Sequence, residues 1–164
     1  MSAPMTETPV DASVADSDSI VRSIVIEAPR ERVWRALSDA EAFGSWFGAD
    51  LKGQSFAPGK RTRGQITIPG YEHIYFDVVV DRIEPQELFS YRWHPYAMDP
   101  TVDYTKETPT LVTFMLEATQ ANGTLLKVIE SGFANVPPER RMEALRMNTR
   151  GWEGQLGRIS RHVG

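Results

Sequence analysis

From residue 20 onward the apolar positions of this chain follow three successive rhythms, each predicting a different kind of element. Ile20, Val21, Ile24, Val25 and Ile26 make a β-branched run that Ala28-Pro29 halts, which predicts a first strand over residues 20–27 leading into a helix with Pro at its first turn. Over residues 29–37 the 3.6-residue period puts Val33, Trp34 and Leu37 on one face and leaves Arg30, Glu31 and Arg35 to solvent. Ser38-Asp39-Ala40-Glu41 reads as a capping box that starts a second short helix carrying Phe43, Trp46 and Phe47. The period then shortens to two. Strands are expected over residues 61–68, 73–83, 88–94, 110–117 and 124–133, with turns at Pro58-Gly59 and Pro69-Gly70. Asn122-Gly123 marks a hairpin, because both residues tolerate the positive φ angles of a tight turn. Residues 95–109 hold Pro95, Pro100 and Pro109 and form a long connection, of the length used by binding loops as well as by inert surface loops.

The third rhythm is helical again. Met142, Leu145, Thr149, Trp152, Leu156, Ile159 and Val163 recur at spacings of three and four, so one long helix starting near Pro137-Pro138 presents a single stripe to something apolar. Gly151, Gly154 and Gly157 each weaken that helix by about 0.8–1.0 kcal/mol relative to Ala, which implies either close backbone packing or a locally soft helix. The order of elements, strand, two short helices, a run of antiparallel strands and a long helix, is α+β.

Composition narrows the function classes. The chain of 164 residues suits one domain, and its first 19 residues, rich in Ser, Ala, Thr, Asp and Pro, read as a mobile acidic tail ahead of a domain at 20–164. Glu7, Asp11, Asp16 and Asp18, with no Lys or Arg among the first twenty residues, account for the whole net charge of −4. The remainder is neutral and carries no field for gathering a phosphate backbone or anionic lipid, so no nucleic acid and no membrane insertion are expected. With no cysteine, disulfides and thiolate chemistry drop out. Neither a spanning apolar run nor a secretory start is present, which makes the cytoplasm the expected location. The three histidines, His73, His94 and His162, form no ligand spacing, so no metal and no other cofactor is expected. No catalytic constellation stands out: there is no serine elbow, and Gly53 to Gly59-Lys60-Arg61 misses the phosphate-loop spacing.

Ile26-Glu27-Ala28-Pro29-Arg30-Glu31-Arg32-Val33-Trp34-Arg35-Ala36-Leu37, followed by Trp46-Phe47, resembles the N-terminal signature of the SRPBCC (START-like) superfamily. Phe56-Ala57-Pro58-Gly59, Ile83-Glu84-Pro85, Glu130-Ser131-Gly132-Phe133 and Gly151-Trp152 extend the resemblance over about residues 22–160, toward the Aha-type branch, homologues of the activator of the ninety-kilodalton heat-shock protein's ATPase. The resemblance implies the helix-grip fold, a curved antiparallel sheet wrapped around the C-terminal helix with a cavity between them. It also implies a small hydrophobic or aromatic molecule as ligand. Rival roles on the same scaffold are a cyclase- or aromatase-like enzyme and a chaperone-associated interaction module, the latter with a stress-response setting. Nothing in the tail could replace the separate domain with which the eukaryotic activator contacts the chaperone. Monomer and homodimer both remain open, the latter through an edge strand or the outer helix face.

Alternation puts Phe89, Tyr91 and Trp93 on one strand face, Val112, Phe114 and Leu116 on the next, and Leu126, Val128 and Glu130 on a third. With Leu145, Thr149 and Trp152 opposite, Phe89, Tyr91, Trp93, Phe114, Leu126, Val128 and Glu130 are the expected lining of a ligand cavity. Packed against one another, the same rings would make an ordinary filled core. Glu130 is the sharpest feature, because an inward carboxylate among apolar neighbours needs a partner. It is a ligand anchor, an acid or base working with Tyr91 or His94, or a structural carboxylate paired with Arg92, His94 or Tyr91. A one-residue slip would instead put it in solvent.

Overall fold

The computed structural model describes residues 18–164. The acidic tail expected over residues 1–19 therefore falls outside the described residues up to residue 17. Ser19 already pairs with Ser131, and Asp18 accepts a hydrogen bond from the Ala134 amide.

Strand β1 (Ser19–Ile26) leads into α1 (Arg30–Ser38) and α2 (Ala40–Phe47). Four strands follow in a meander, β2 (Arg61–Gln65), β3 (Tyr75–Glu84), β4 (Leu88–Trp93) and β5 (Thr110–Ala118), and then β6 (Thr124–Ser131) and α3 (Pro138–Val163). The strands form one antiparallel sheet in the order β1-β6-β5-β4-β3-β2. Only the β1–β6 pairing joins strands distant in sequence, and it brings the chain start beside the hairpin that precedes α3. This is the helix-grip arrangement that the resemblance implies.

Local chemistry explains the boundaries and corrects several expectations. Asp39, not Ser38, caps α2, its carboxylate accepting from the Ala42 amide at 3.3 Å. The Ser38 hydroxyl instead donates to the Trp34 carbonyl inside α1, and Glu41 reaches the Gly53 amide, so no capping box forms. Gly48 ends α2 with φ 99°, a conformation in which a side chain would be strained. Strand β2 stops at Gln65, three residues short of expectation, because Ile66 keeps only an isolated bridge to Ala49. In the β5–β6 hairpin Asn122 alone has positive φ, 60°, and the loop closes from Thr119 to Gly123. Gly123 is required for a different reason: a Cβ there would lie 2.8 Å from the Ile26 carbonyl oxygen.

The core lies between the concave sheet face and the three helices. Ala144, Trp152, Leu156, Ile159 and Val163 are the buried residues of α3. Met142, assigned to the same stripe, is 66% exposed, because the stripe begins one turn later than extrapolation places it. Among the described residues no helix is long and apolar enough to cross a membrane.

Candidate functional site

Register places the chemistry. Tyr91 pairs with Val112 and Val112 with Glu130, so the tyrosine and the glutamate stand in one row on the concave face, two strands apart. The next row joins Trp93 to Thr110. Above them, Asn148 and Trp152 are four residues apart on α3 and share the face turned to the sheet.

These elements converge on the Glu130 carboxylate, which is 0% exposed. Its Oε2 accepts from the Thr110 hydroxyl at 2.6 Å and the Trp93 indole N–H at 2.8 Å. Oε1 accepts from the Trp152 indole N–H at 2.8 Å and the Asn148 amide at 3.0 Å. Four side chains from β4, β5 and α3 thus tie to one residue of β6. Every donor is neutral, and no ion pair reaches Glu130 among the described residues. The partners differ from those the sequence suggests. Arg92 lies on the other face near Asp81, and neither Tyr91 nor His94 bonds the carboxylate. Glu130 is inward, as alternation expects, but held by residue types that a search for countercharges passes over.

The Tyr91 hydroxyl is the unspent group. It is fully buried and has no hydrogen-bond partner. Burial, followed by the charge of Glu130, pushes its phenol well above the ordinary range. Rings surround it: Phe43, Phe76, Phe89, Trp93 and Phe114 all have centroids within 6.3 Å of the Tyr91 ring.

The expected lining splits into two parts. Phe89 and Phe114 stack with centroids 6.2 Å apart, and Phe43 of α2 reaches both, plugging that end of the concave face. Leu126 and Val128 are buried beside it. Toward the other end, Trp93 stacks on Trp152 with centroids 5.6 Å apart and planes 28° apart, and Phe47 touches both. Trp93, Leu145 and Thr149 are half-buried and form its rim. The Thr149 hydroxyl donates to the Leu145 carbonyl within the helix, so it is not presented outward. Sequence reasoning missed Phe43, Phe47, Phe76, Thr110 and Asn148. Thr110 and Asn148 carried usable signals, as the cross-strand neighbour of Trp93 and as the residue one turn before Trp152.

The 95–109 connection lies along the same rim, its ends continuous with Trp93 and Thr110. Arg140 of α3 holds it, donating to the carbonyls of Pro95 and Tyr96 and to both Glu107 oxygens, with the guanidinium over the Tyr104 ring at 4.8 Å. His94 Nδ1 is buried without a partner, and burial lowers the imidazole pKa against the raising pull of Glu107. A separate surface cleft of about 470 Å³ is lined by Ser45, Trp46, Arg158, Arg161 and His162. Among the described residues no group of three or more His, Cys, Asp or Glu side chains is placed to hold a metal.

A family described as "Activator of Hsp90 ATPase homolog 1-like protein" matches residues 27–164. No curated protein matches the chain. Among solved structures, protein MLL2253 from Mesorhizobium loti is 26% identical with a TM-score of 0.67, covering 88% of this chain and 96% of its own. The Aha1 dimer from Colwellia psychrerythraea is 16% identical with a TM-score of 0.64, over 88% and 95%. BH1534 from Bacillus halodurans is 24% identical with a TM-score of 0.63, over 89% and 96%. The last two are likenesses of fold.

Proposed function

The chain belongs to the activator-of-Hsp90-ATPase-homolog-1-like family, and from that premise we propose that it binds a small hydrophobic or aromatic molecule between the sheet and the C-terminal helix, without chemistry. The observation that carries this reading is the buried, unpartnered Tyr91 hydroxyl inside a shell of rings. Leaving a buried hydroxyl unpaired costs about 1–3 kcal/mol, and a ligand atom that meets it recovers that cost. Rings make up most of the site and its other polar groups are paired around Glu130, which leaves the Tyr91 hydroxyl to orient what enters, in the pattern of a small-molecule site. Trp93, Leu145 and Thr149, only half-buried, are the wall through which it fills.

Two features favour binding over proton transfer. Both oxygens of Glu130 are engaged by donors, two of which, the indoles of Trp93 and Trp152, can only donate. The Tyr91 phenol, raised by burial, holds its proton at neutral pH. Neither is poised as a general base.

Native mass spectrometry of freshly purified full-length chain, followed by denaturation, tests the reading together with titration by the neutral fluorophore Nile red. The expected result is a discrete mass lost on unfolding, or one Nile red per chain whose Kd changes at least fivefold in a folded Trp93→Phe variant. A bare mass with no Nile red binding, or binding that the substitution leaves unchanged, overturns it.

A further inference from the structure

Glu130 is a buried carboxylate whose partners are all neutral, and no cationic side chain among the described residues pairs with its negative charge. The cationic groups near the rim do not supply the balance. Arg140 is committed to Glu107, and Arg92, next to Trp93 in sequence, lies on the opposite sheet face against Asp81. His94 is held toward its neutral form by burial. Three features surround that charge. The Tyr91 oxygen has lone pairs that nothing uses. The rings of Trp93, Trp152, Tyr91, Phe47 and Phe76 crowd the same end of the concave face. The rim side chains Leu145 and Trp93 are apolar and half-buried.

Each feature selects the same partner chemistry. A carboxylate or phosphate on the ligand would meet Glu130 as a like charge in a poorly screened interior. An alcohol or ketone could bond Tyr91 but would gain nothing from the charge or from the negative faces of the rings. A protonated amine satisfies all three: its N–H donates to the Tyr91 oxygen, its charge sits in the field of Glu130, and aromatic faces attract it. Resting on the binding reading above, we propose that the ligand's polar end is a cationic amine on an apolar or aromatic body, seated against Tyr91 beside the Trp93–Trp152 stack.

Three probes with one chain length test this, namely decylammonium, decanol and decanoate, titrated into the full-length protein at pH 7 in 0.15 M salt by calorimetry and tryptophan fluorescence. The expected result is one decylammonium per chain, with a Kd at least tenfold below those of decanol and decanoate. Tyr91→Phe weakens decylammonium binding more than decanol binding and so narrows the margin between them at least threefold. Decanol or decanoate binding as tightly as the amine overturns the amine assignment and leaves the hydrophobic-site reading standing. An amine preference that Tyr91→Phe leaves intact also overturns it, since the cation would then be held away from the Tyr91 oxygen. Binding by none of the three overturns both readings.

Discussion

Tyr91 and Glu130 show how two residues in one row of a sheet can carry opposite burdens. Glu130 is saturated by four donors, whereas Tyr91 keeps a buried hydroxyl with none. In ligand-free protein, Tyr91→Phe removes the unpaired group at almost constant shape, so stability at pH 7 should rise by about 1–2 kcal/mol. The alkaline limb should change as well. Because the folded-state phenol pKa lies well above its ordinary value near 10, the unfolded chain loses its proton first. The unfolded state then binds fewer protons than the native one, and stability falls as pH rises above about 10. Denaturant titrations at pH 7, 9, 10 and 11 should show that decline in the parent and a flatter profile in Tyr91→Phe. Equal slopes would mean that the phenol titrates normally and is not sealed in the core. The inward aim of Glu130 was legible from alternation along β6 alone, because register on a half-buried strand is fixed by the pleat. Its partners were not. They come from 18 to 37 residues away, and their neutrality hides them from a search for opposite charges.

At the scale of elements, α3 settles an ambiguity that its sequence leaves open. A Cβ built on Gly151 or Gly154 meets no atom within 4 Å, so close packing does not require either glycine. These glycines flank Trp152, a wall of the site, and they leave that stretch softer than an Ala-containing helix would be. Gly151→Ala and Gly154→Ala should each stabilise the protein by about 0.4–1 kcal/mol, mainly by restricting the unfolded chain. Melting temperature should rise by roughly 2–4 °C per kcal/mol for a chain of this size. Gly48→Ala is the contrasting case, with φ 99° and a Cβ 2.7 Å from the Ile68 side chain, and it should destabilise. A fall in melting temperature for either helix glycine would show that the stretch is under a constraint that the packing does not display. Element type and order were legible because the apolar period switches cleanly between 3.6 and 2. The misplacements arose where a local rule met a tertiary contact. Met142 continues the helical stripe in sequence, but it is solvent-exposed, and the first buried residue of α3 is Ala144. Phe43 and Phe47 belong to a short helix, and nothing local in the sequence tells that this helix drives its rings into the concave face.

At the scale of the whole molecule, two clamps divide the work of holding the sheet, the long helix and the 95–109 connection together. Glu130 fixes the ends of that connection, because Trp93 precedes it and Thr110 follows it. Arg140 ties both arms of it to the first turn of α3, through the carbonyls of Pro95 and Tyr96 at its start and through a two-pronged pair with Glu107 and the face of Tyr104 toward its end. The two clamps are independent, so removing Arg140 should free the loop without dissolving the core. Hydrogen exchange should then show amides of residues 95–109 exchanging at least tenfold faster in Arg140→Ala, with those of β5 and β6 unchanged. The stability cost should be about 1–3 kcal/mol, the range for charged hydrogen bonds that are partly shielded. Arg140→Lys should not restore protection, because a single ammonium cannot reproduce the planar fork on Glu107 together with the two carbonyls. Since the loop starts two residues beyond Trp93, its release should also quicken probe association while leaving the contacts of the bound molecule, and hence its dissociation rate, nearly unchanged. Uniformly faster exchange across the sheet would instead make Arg140 part of the fold's cooperative core, and the loop a fixed wall of the site.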